Sequence, residues 1–182
     1  MTLLILGILL WVAGHFFKRA LPDLRGSMGN AGKGVSAVII LGGLVLMIIG
    51  YRQAFTDLAY VPPSWGIHLN NLLMLIAVIL FGMGSSKGRM RSWLRHPMLS
   101  GVVVWAVAHL LVNGDWASVV LFGSMAVWAL AEMAVVNAKS PAWERPAPGP
   151  ASGDVRLIVI SLVVFGVISA IHAWLGYWPF PG

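Results

Sequence analysis

The sequence predicts an all-α fold, an integral membrane bundle of about six transmembrane helices, and three observations support this fold class. First, 59% of the 182 residues are hydrophobic and only 10% are charged, which is too apolar for a soluble domain. Second, six apolar segments approach the roughly 20 residues needed to cross a bilayer. Third, apart from Glu132 in the fifth segment, the charged residues lie at the ends of these segments or between them. Cysteine is absent, which excludes disulfides and thiolate ligands.

The six segments follow one another with short interruptions, and we assign them to a single domain, residues 1–182. They lie at about residues 2–18, 35–51, 67–84, 97–113, 116–137 and 157–175. The charges at the end of the first segment, Lys18 and Arg19, come after its apolar run and not before it. A signal peptide has the opposite order, so we expect the first segment to be a retained helix.

The interruptions contain residues that begin or end helices. A glycine cluster at 26–34 precedes the second segment, and Pro62 and Pro63 precede the third. Pro97 is placed to start the fourth segment, which residues 113–115 end. The proline-rich stretch at about 139–155 predicts a flexible loop before the sixth segment.

Basic residues predict the orientation of the chain in the membrane. Arg52 is the only one of the 12 basic residues that falls outside the first, third and fifth connections. By the positive-inside rule these three connections face the cytoplasm, and both termini face the periplasm of a bacterial inner membrane. The formal net charge of +6 is therefore explained by orientation in the lipid bilayer, which is the expected partner, and we expect no nucleic acid.

Histidines within the segments are the most informative polar residues. An imidazole in hydrocarbon needs a protein group, a ligand or a metal as its partner. On the fourth segment His109 shares a face with Trp105 and Gly101, so a flat ligand could approach the backbone there. A simple helix contact held by one polar side chain fits the same spacing.

Two further histidines lie at membrane depth. His172 lies at about the height of His109 in the outer half of the bilayer, whereas His15 lies nearer the cytoplasmic side. No phosphate-binding loop, HExxH motif or nucleophile elbow occurs in the sequence. Histidines on different helices are a simple way to hold haem iron within a bundle, so this set favours a porphyrin.

Three stretches resemble the NnrU family of bacterial membrane proteins. They are GHFFKRALPDLR with His15, RHPMLSGVVVWAVAHLLVNGDWASVVLFG from Arg95 to Gly123, and HAWLGY with His172. The resemblance covers nearly the whole chain and implies an association with nitrite and nitric oxide reduction in denitrification. The same family includes the plant zeta-carotene isomerase, a membrane haem b protein.

The resemblance implies that His15 and His109 bind the iron of haem b. In the isomerase an alternative iron ligand, a cysteine, lies three residues before the second histidine. Ala106 occupies that position here, so ligand exchange of that kind is absent, which argues against carotene isomerisation. Redox or isomerase chemistry on a small or apolar substrate stays among the expected functions.

Helical rise supports a different pair of ligands. By helical rise, the depths of His15 and His109 in the membrane differ by on the order of 10 Å, which is far for two ligands of one iron. His172 lies at a depth similar to that of His109, so His109 with His172 is the rival pair. Four basic residues are candidates to pair with haem propionates near the cytoplasmic interface, through charge-assisted bonds: Lys18, Arg19, Arg91 and Arg95. A role in orientation alone fits the same residues.

Two other functions fit parts of the sequence. The run RHP at the start of the fourth segment is similar to membrane methyltransferases of the isoprenylcysteine and methanethiol type, which would make His96 a residue that binds the methyl-donor cofactor. Alternatively, the protein is a non-enzymatic assembly factor for a respiratory or denitrification reductase. An absorption spectrum of the purified protein separates these from a haem protein.

Overall fold

The structure is a computed structural model that describes residues 1–181, and its regular secondary structure is helical. The α-helices are α1 (Thr2–Ala20), α2 (Pro22–Ser27), α3 (Ala31–Arg52), α4 (Gly66–Met83), α5 (Pro97–Leu110), α6 (Trp116–Lys139) and α7 (Ala151–Trp174), with a 3-10 turn at Met90–Ser92. Five of them, α1, α3, α4, α6 and α7, are long and apolar enough to cross a membrane. The predicted class of an all-α membrane protein is confirmed.

Several helix ends differ from the predicted ones. The short helix α2 was not predicted, and α5 ends at Leu110, a few residues before the predicted 113. Helix α7 begins at Ala151, so the irregular stretch covers residues 140–150 and is shorter than the predicted loop. Asp154, in the first turn of α7, stabilises this early start through its ion pair with Arg89 and its hydrogen bond from the backbone N–H of Met90.

The described chain forms two compact units. The first unit comprises Met1–Tyr60 with Asp115–Ser124, and the second comprises Val61–Gly114 and the residues from Met125 onward. In the first unit α1 and α3 pack antiparallel: Leu4 lies beside Gly50, and Gly14 lies beside Ile40. Helix contacts that depend on glycine are common in membranes, because they let two backbones approach.

In the second unit, α4 packs against both α5 and α7. The two ends of α5 lie beside the two ends of α4, since Gly84 is next to Pro97 and Gly66 is next to the carbonyl of Leu111. With 14 residues, α5 is about 21 Å long by helical rise. Together with the residues that follow it, α5 therefore extends along most of α4, which is long enough to span the membrane.

Candidate functional site

Two helices contain the same eleven-residue pattern. Residues 7–17 read GILLWVAGHFF, and residues 101–111 read GVVVWAVAHLL. Glycine, tryptophan and histidine occupy the same places, a small residue precedes each histidine, and the other positions are apolar. The chain has 9 Trp and 5 His among 182 residues, so random placement would give fewer than one histidine four residues after a tryptophan. We call each copy a Gly-Trp-His element; sequence reasoning missed this repeat although it is visible in the sequence.

Each element holds its imidazole in the same way. Nδ1 of His15 lies 2.9 Å from the carbonyl oxygen of Trp11, and Nδ1 of His109 lies 3.0 Å from that of Trp105. A carbonyl oxygen can only accept a hydrogen bond, so Nδ1 carries the proton in both rings. The lone pair of the neutral imidazole is therefore on Nε2, the nitrogen that a metal ion would use.

The tryptophan of each element also contacts its histidine through the ring. The ring centroids are 4.4 Å apart for Trp11 and His15 and 5.1 Å apart for Trp105 and His109. The residue before each histidine, Gly14 or Ala108, is buried. A flat aromatic surface and a closely packed backbone therefore accompany each imidazole.

His172 shares the hydrogen bond but not the tryptophan. Its Nδ1 lies 2.8 Å from the carbonyl oxygen of Ile168, which again leaves the lone pair on Nε2. His172 and His109 both lie in the second unit. At the end of α5, the side-chain amide of Asn113 donates to the carbonyl oxygen of His109 at 2.9 Å.

Two of the other candidate residues, Arg95 and His96, contact the end of α6. Arg95 donates to the carbonyl oxygens of Ser140 and Pro141 after the end of α6, which satisfies backbone groups that a helix end leaves open. Nε2 of His96 lies 2.8 Å from Oδ1 of Asn137. These contacts attach the start of α5 to the end of α6 within the second unit. Arg19 lies in the last turn of α1, one turn after His15.

Sequence reasoning also missed a polar network at the start of α6. The carboxylate of Asp115 accepts hydrogen bonds from the backbone N–H of Ser118 at 2.9 Å, from its hydroxyl at 2.6 Å and from the Thr56 hydroxyl at 3.3 Å. Because the Ser118 proton is directed to Asp115, the Tyr51 hydroxyl donates to Ser118 at 2.9 Å. An aspartate three residues before a serine, ahead of an apolar run, is the signal that predicts this helix cap.

Electrostatics in this network favour the charged carboxylate. Burial alone would raise the pKa of Asp115, but the hydrogen bonds from Ser118 and Thr56 lower it below its usual 3.8. Burial, and then the negative charge of Asp115, raise the pKa of Tyr60. The network caps α6 and attaches it to the loop after α3 in the first unit.

Comparison with known protein families matches the NnrU protein family over residues 3–179. The chain belongs to the NnrU family. No curated protein and no solved structure matches it. The match covers nearly all of this NnrU protein's 182 residues and includes both Gly-Trp-His elements.

The imidazoles of His15, His109 and His172 are ligands of the kind that haem iron takes from a protein. Among residues 1–181, no group of three or more His, Cys, Asp or Glu side chains converges as metal ligands would. A porphyrin supplies four nitrogens of its own, so it needs only one or two imidazoles from the protein. Two of the candidate imidazoles lie beside an aromatic ring, which suits a flat macrocycle.

Proposed function

We propose that this NnrU protein binds haem b within the membrane through imidazole ligands. His109 is one ligand, His15 is the first candidate for the other, and His172 is the rival. The observation that carries the proposal is the repeated Gly-Trp-His element, in which the same hydrogen bond leaves the lone pair of His15 and His109 on Nε2.

The local hydrogen bonds prepare these imidazoles for iron. Donation from Nδ1 to a backbone carbonyl fixes the tautomer and the ring orientation, and it makes Nε2 a stronger base. A haem with two imidazole ligands suits electron transfer, whereas a ligand that can be displaced lets a nitrogen oxide reach the iron. We infer a role in electron transfer or nitrogen-oxide chemistry, with a respiratory or denitrification reductase as partner.

Absorption spectroscopy of the purified protein, expressed with a haem supply, tests the proposal. We expect a Soret band in the wild type and its loss in His109→Ala. The band should also be lost or shifted in His15→Ala if His15 is the second ligand, and in His172→Ala if His172 is. His68→Ala is the matched control, because His68 is exposed and should leave the spectrum unchanged.

Two results would contradict the proposal. One is a folded wild type without colour after expression with haem. The other is a Soret band of full height and unchanged position in His109→Ala. Copurification of a reductase with a colourless protein would instead favour an assembly factor.

The chain is also suited to a direct test of its orientation. We propose that both termini lie in the periplasm of a bacterial inner membrane, which the distribution of basic residues supports. Since the protein has no cysteine, a single cysteine at Gln53 or at Lys87 is the only thiol that a reagent can label. A membrane-impermeant maleimide added to intact spheroplasts should label Gln53→Cys and leave Lys87→Cys unlabelled; the reverse pattern would invert the topology.

A further inference from the structure

The connection between α4 and α5 contains three arginines, and they differ in what they contact. Arg89 pairs through Nε with the carboxylate of Asp154 at 3.3 Å, and Arg95 donates to backbone carbonyls. Arg91 is partly buried, and its Nε is buried without a hydrogen-bond partner among residues 1–181. The hydroxyl of Ser86, in the same connection, is also buried and has no hydrogen-bond partner in the described chain.

Unpaired donors of this kind need an explanation. A buried polar group without a partner costs free energy, and the cost is larger for a charged group. Asp154, the acidic residue that contacts this connection, has other partners: it accepts from Arg89 and, at 2.9 Å, from the backbone N–H of Met90. An oxyanion from outside the chain would satisfy the guanidinium, for which phosphate and carboxylate are the natural partners.

The side chains that follow Arg91 in the sequence indicate where the oxyanion comes from. Trp93, Leu94 and Met98 are large, apolar and 61%, 40% and 61% exposed. Trp93 and Leu94 precede α5, and Met98 lies in its first turn, so all three lie where the chain enters this apolar helix. Aromatic side chains and arginines with this arrangement lie at the level of lipid headgroups, with apolar groups toward the acyl chains.

We propose that Arg91 and Ser86 form a binding site for the phosphate of an anionic phospholipid. The phosphate accepts from Arg91 and Ser86, and the acyl chains lie against Trp93 and Met98. Lys87 is exposed and the Arg89 side chain is 59% exposed, so both add positive potential near the phosphate. This charge favours a lipid with a net negative headgroup over a zwitterionic one.

Thermal stability in lipid nanodiscs tests the site without reference to haem. The probe is phosphatidylglycerol, added in increasing fractions to nanodiscs of phosphatidylcholine. We expect it to raise the apparent Tm of the wild type and to have little effect on Arg91→Gln, for which the midpoint of the titration should move to about tenfold more lipid. Arg145→Gln is the matched control, since it removes the same charge from an exposed residue in the 140–150 stretch and should behave like the wild type.

The outcomes separate the lipid from other sources of charge. Equal losses in Arg91→Gln and Arg145→Gln would show a diffuse charge effect and overturn the proposal. Inorganic phosphate that stabilises the protein in pure phosphatidylcholine as strongly as phosphatidylglycerol would also overturn it. So would an unchanged lipid titration in Arg91→Gln combined with a lower haem content, which would make Arg91 a partner of a haem propionate.

A second variant protects the test from a folding defect. If Arg91→Gln does not fold, Ser86→Ala removes only one hydroxyl and should shift the titration in the same direction by a smaller factor. A wild-type response in Ser86→Ala would then exclude the site.

Discussion

Helices α1 and α5 share the Gly-Trp-His element, one in each compact unit, but they differ in what surrounds it. The histidine geometry is the same in both, because each imidazole is held by its own helix four residues earlier. The glycine contacts are different. A Cβ atom on Gly7 would lie 2.5 Å from the backbone nitrogen of Met47, whereas one on Gly101 would lie 2.9 Å from the ring of Phe81.

This comparison separates what is local from what depends on the fold. A hydrogen bond within one helical turn needs only the helix and the right residue types, so it survives a change of neighbour. The close approach of a glycine depends on the particular helix that packs there. We therefore expect substitutions in the two elements to have similar effects at the histidine and unequal effects at the glycine.

The glycines give the largest expected difference in stability. Gly7→Ala should destabilise the first unit by about 1–3 kcal/mol, because the methyl group meets rigid backbone on α3. Gly101→Ala should cost less, since the ring of Phe81 can shift. Apparent Tm in detergent measures both, with the larger decrease for Gly7→Ala.

Gly123 and Gly166 provide the control for helix propensity. A Cβ atom at either position meets no atom within 4 Å, so Gly123→Ala and Gly166→Ala should raise the apparent Tm slightly, by the roughly 0.5–1 kcal/mol that alanine gains over glycine inside a helix. A decrease for Gly101→Ala equal to that for Gly7→Ala would mean that the Phe81 ring is held as firmly as backbone.

The same distinction explains what the sequence could predict. The order of the apolar helices follows from hydrophobic length, so it was predicted, as was the presence of histidines within them. The start of α7 was not, because it depends on the contact between Asp154 and Arg89, which are 65 residues apart in the sequence. The missing hydrogen bond of Arg91 Nε within the described residues could not be predicted either. The sequence does not show which arginine of the connection pairs with Asp154, and in the structure it is Arg89.

The connections that follow the two elements give the next largest effect. After α5, Asp115 caps α6, whereas after α1, Asp23 lies exposed in the first turn of α2, which has no side-chain cap. The pKa of Asp115 is lowered because the hydrogen bonds from Ser118 and Thr56 outweigh burial. Its contribution to stability is therefore complete above about pH 3.8, the usual value, and is lost as pH falls through the lower pKa of the folded state.

Substitutions at the two aspartates test this difference. Asp115→Ala should cost about 0.5–2 kcal/mol at neutral pH, as the loss of a helix cap does. Asp115→Asn should also flatten the acid side of the stability curve, measured as apparent Tm against pH. Asp23→Asn should change neither quantity, and an acid profile that is unchanged in Asp115→Asn would assign the pH dependence to another group.

The smallest expected effect concerns the tryptophans, and it is the most direct test of whether the two elements are equivalent. Trp11→Leu and Trp105→Leu keep the backbone carbonyl that accepts from the histidine, so the tautomer should persist and only the ring contact is lost. The contact is worth about 0.5–1.5 kcal/mol. In protein without haem, the Cε1–H resonance of each histidine should move when its own tryptophan is replaced, because the ring current of the indole is removed.

The shift should be larger for His15, whose ring is 4.4 Å from the indole, than for His109 at 5.1 Å. Trp11→Phe and Trp105→Phe should restore part of it. His172 is the internal reference, because Ile168 takes the place of a tryptophan and neither variant should move its resonance. If the His109 resonance did not respond to Trp105→Leu, then the ring contact would not position that imidazole, and the equivalence of α1 and α5 would be reduced to their shared backbone hydrogen bond.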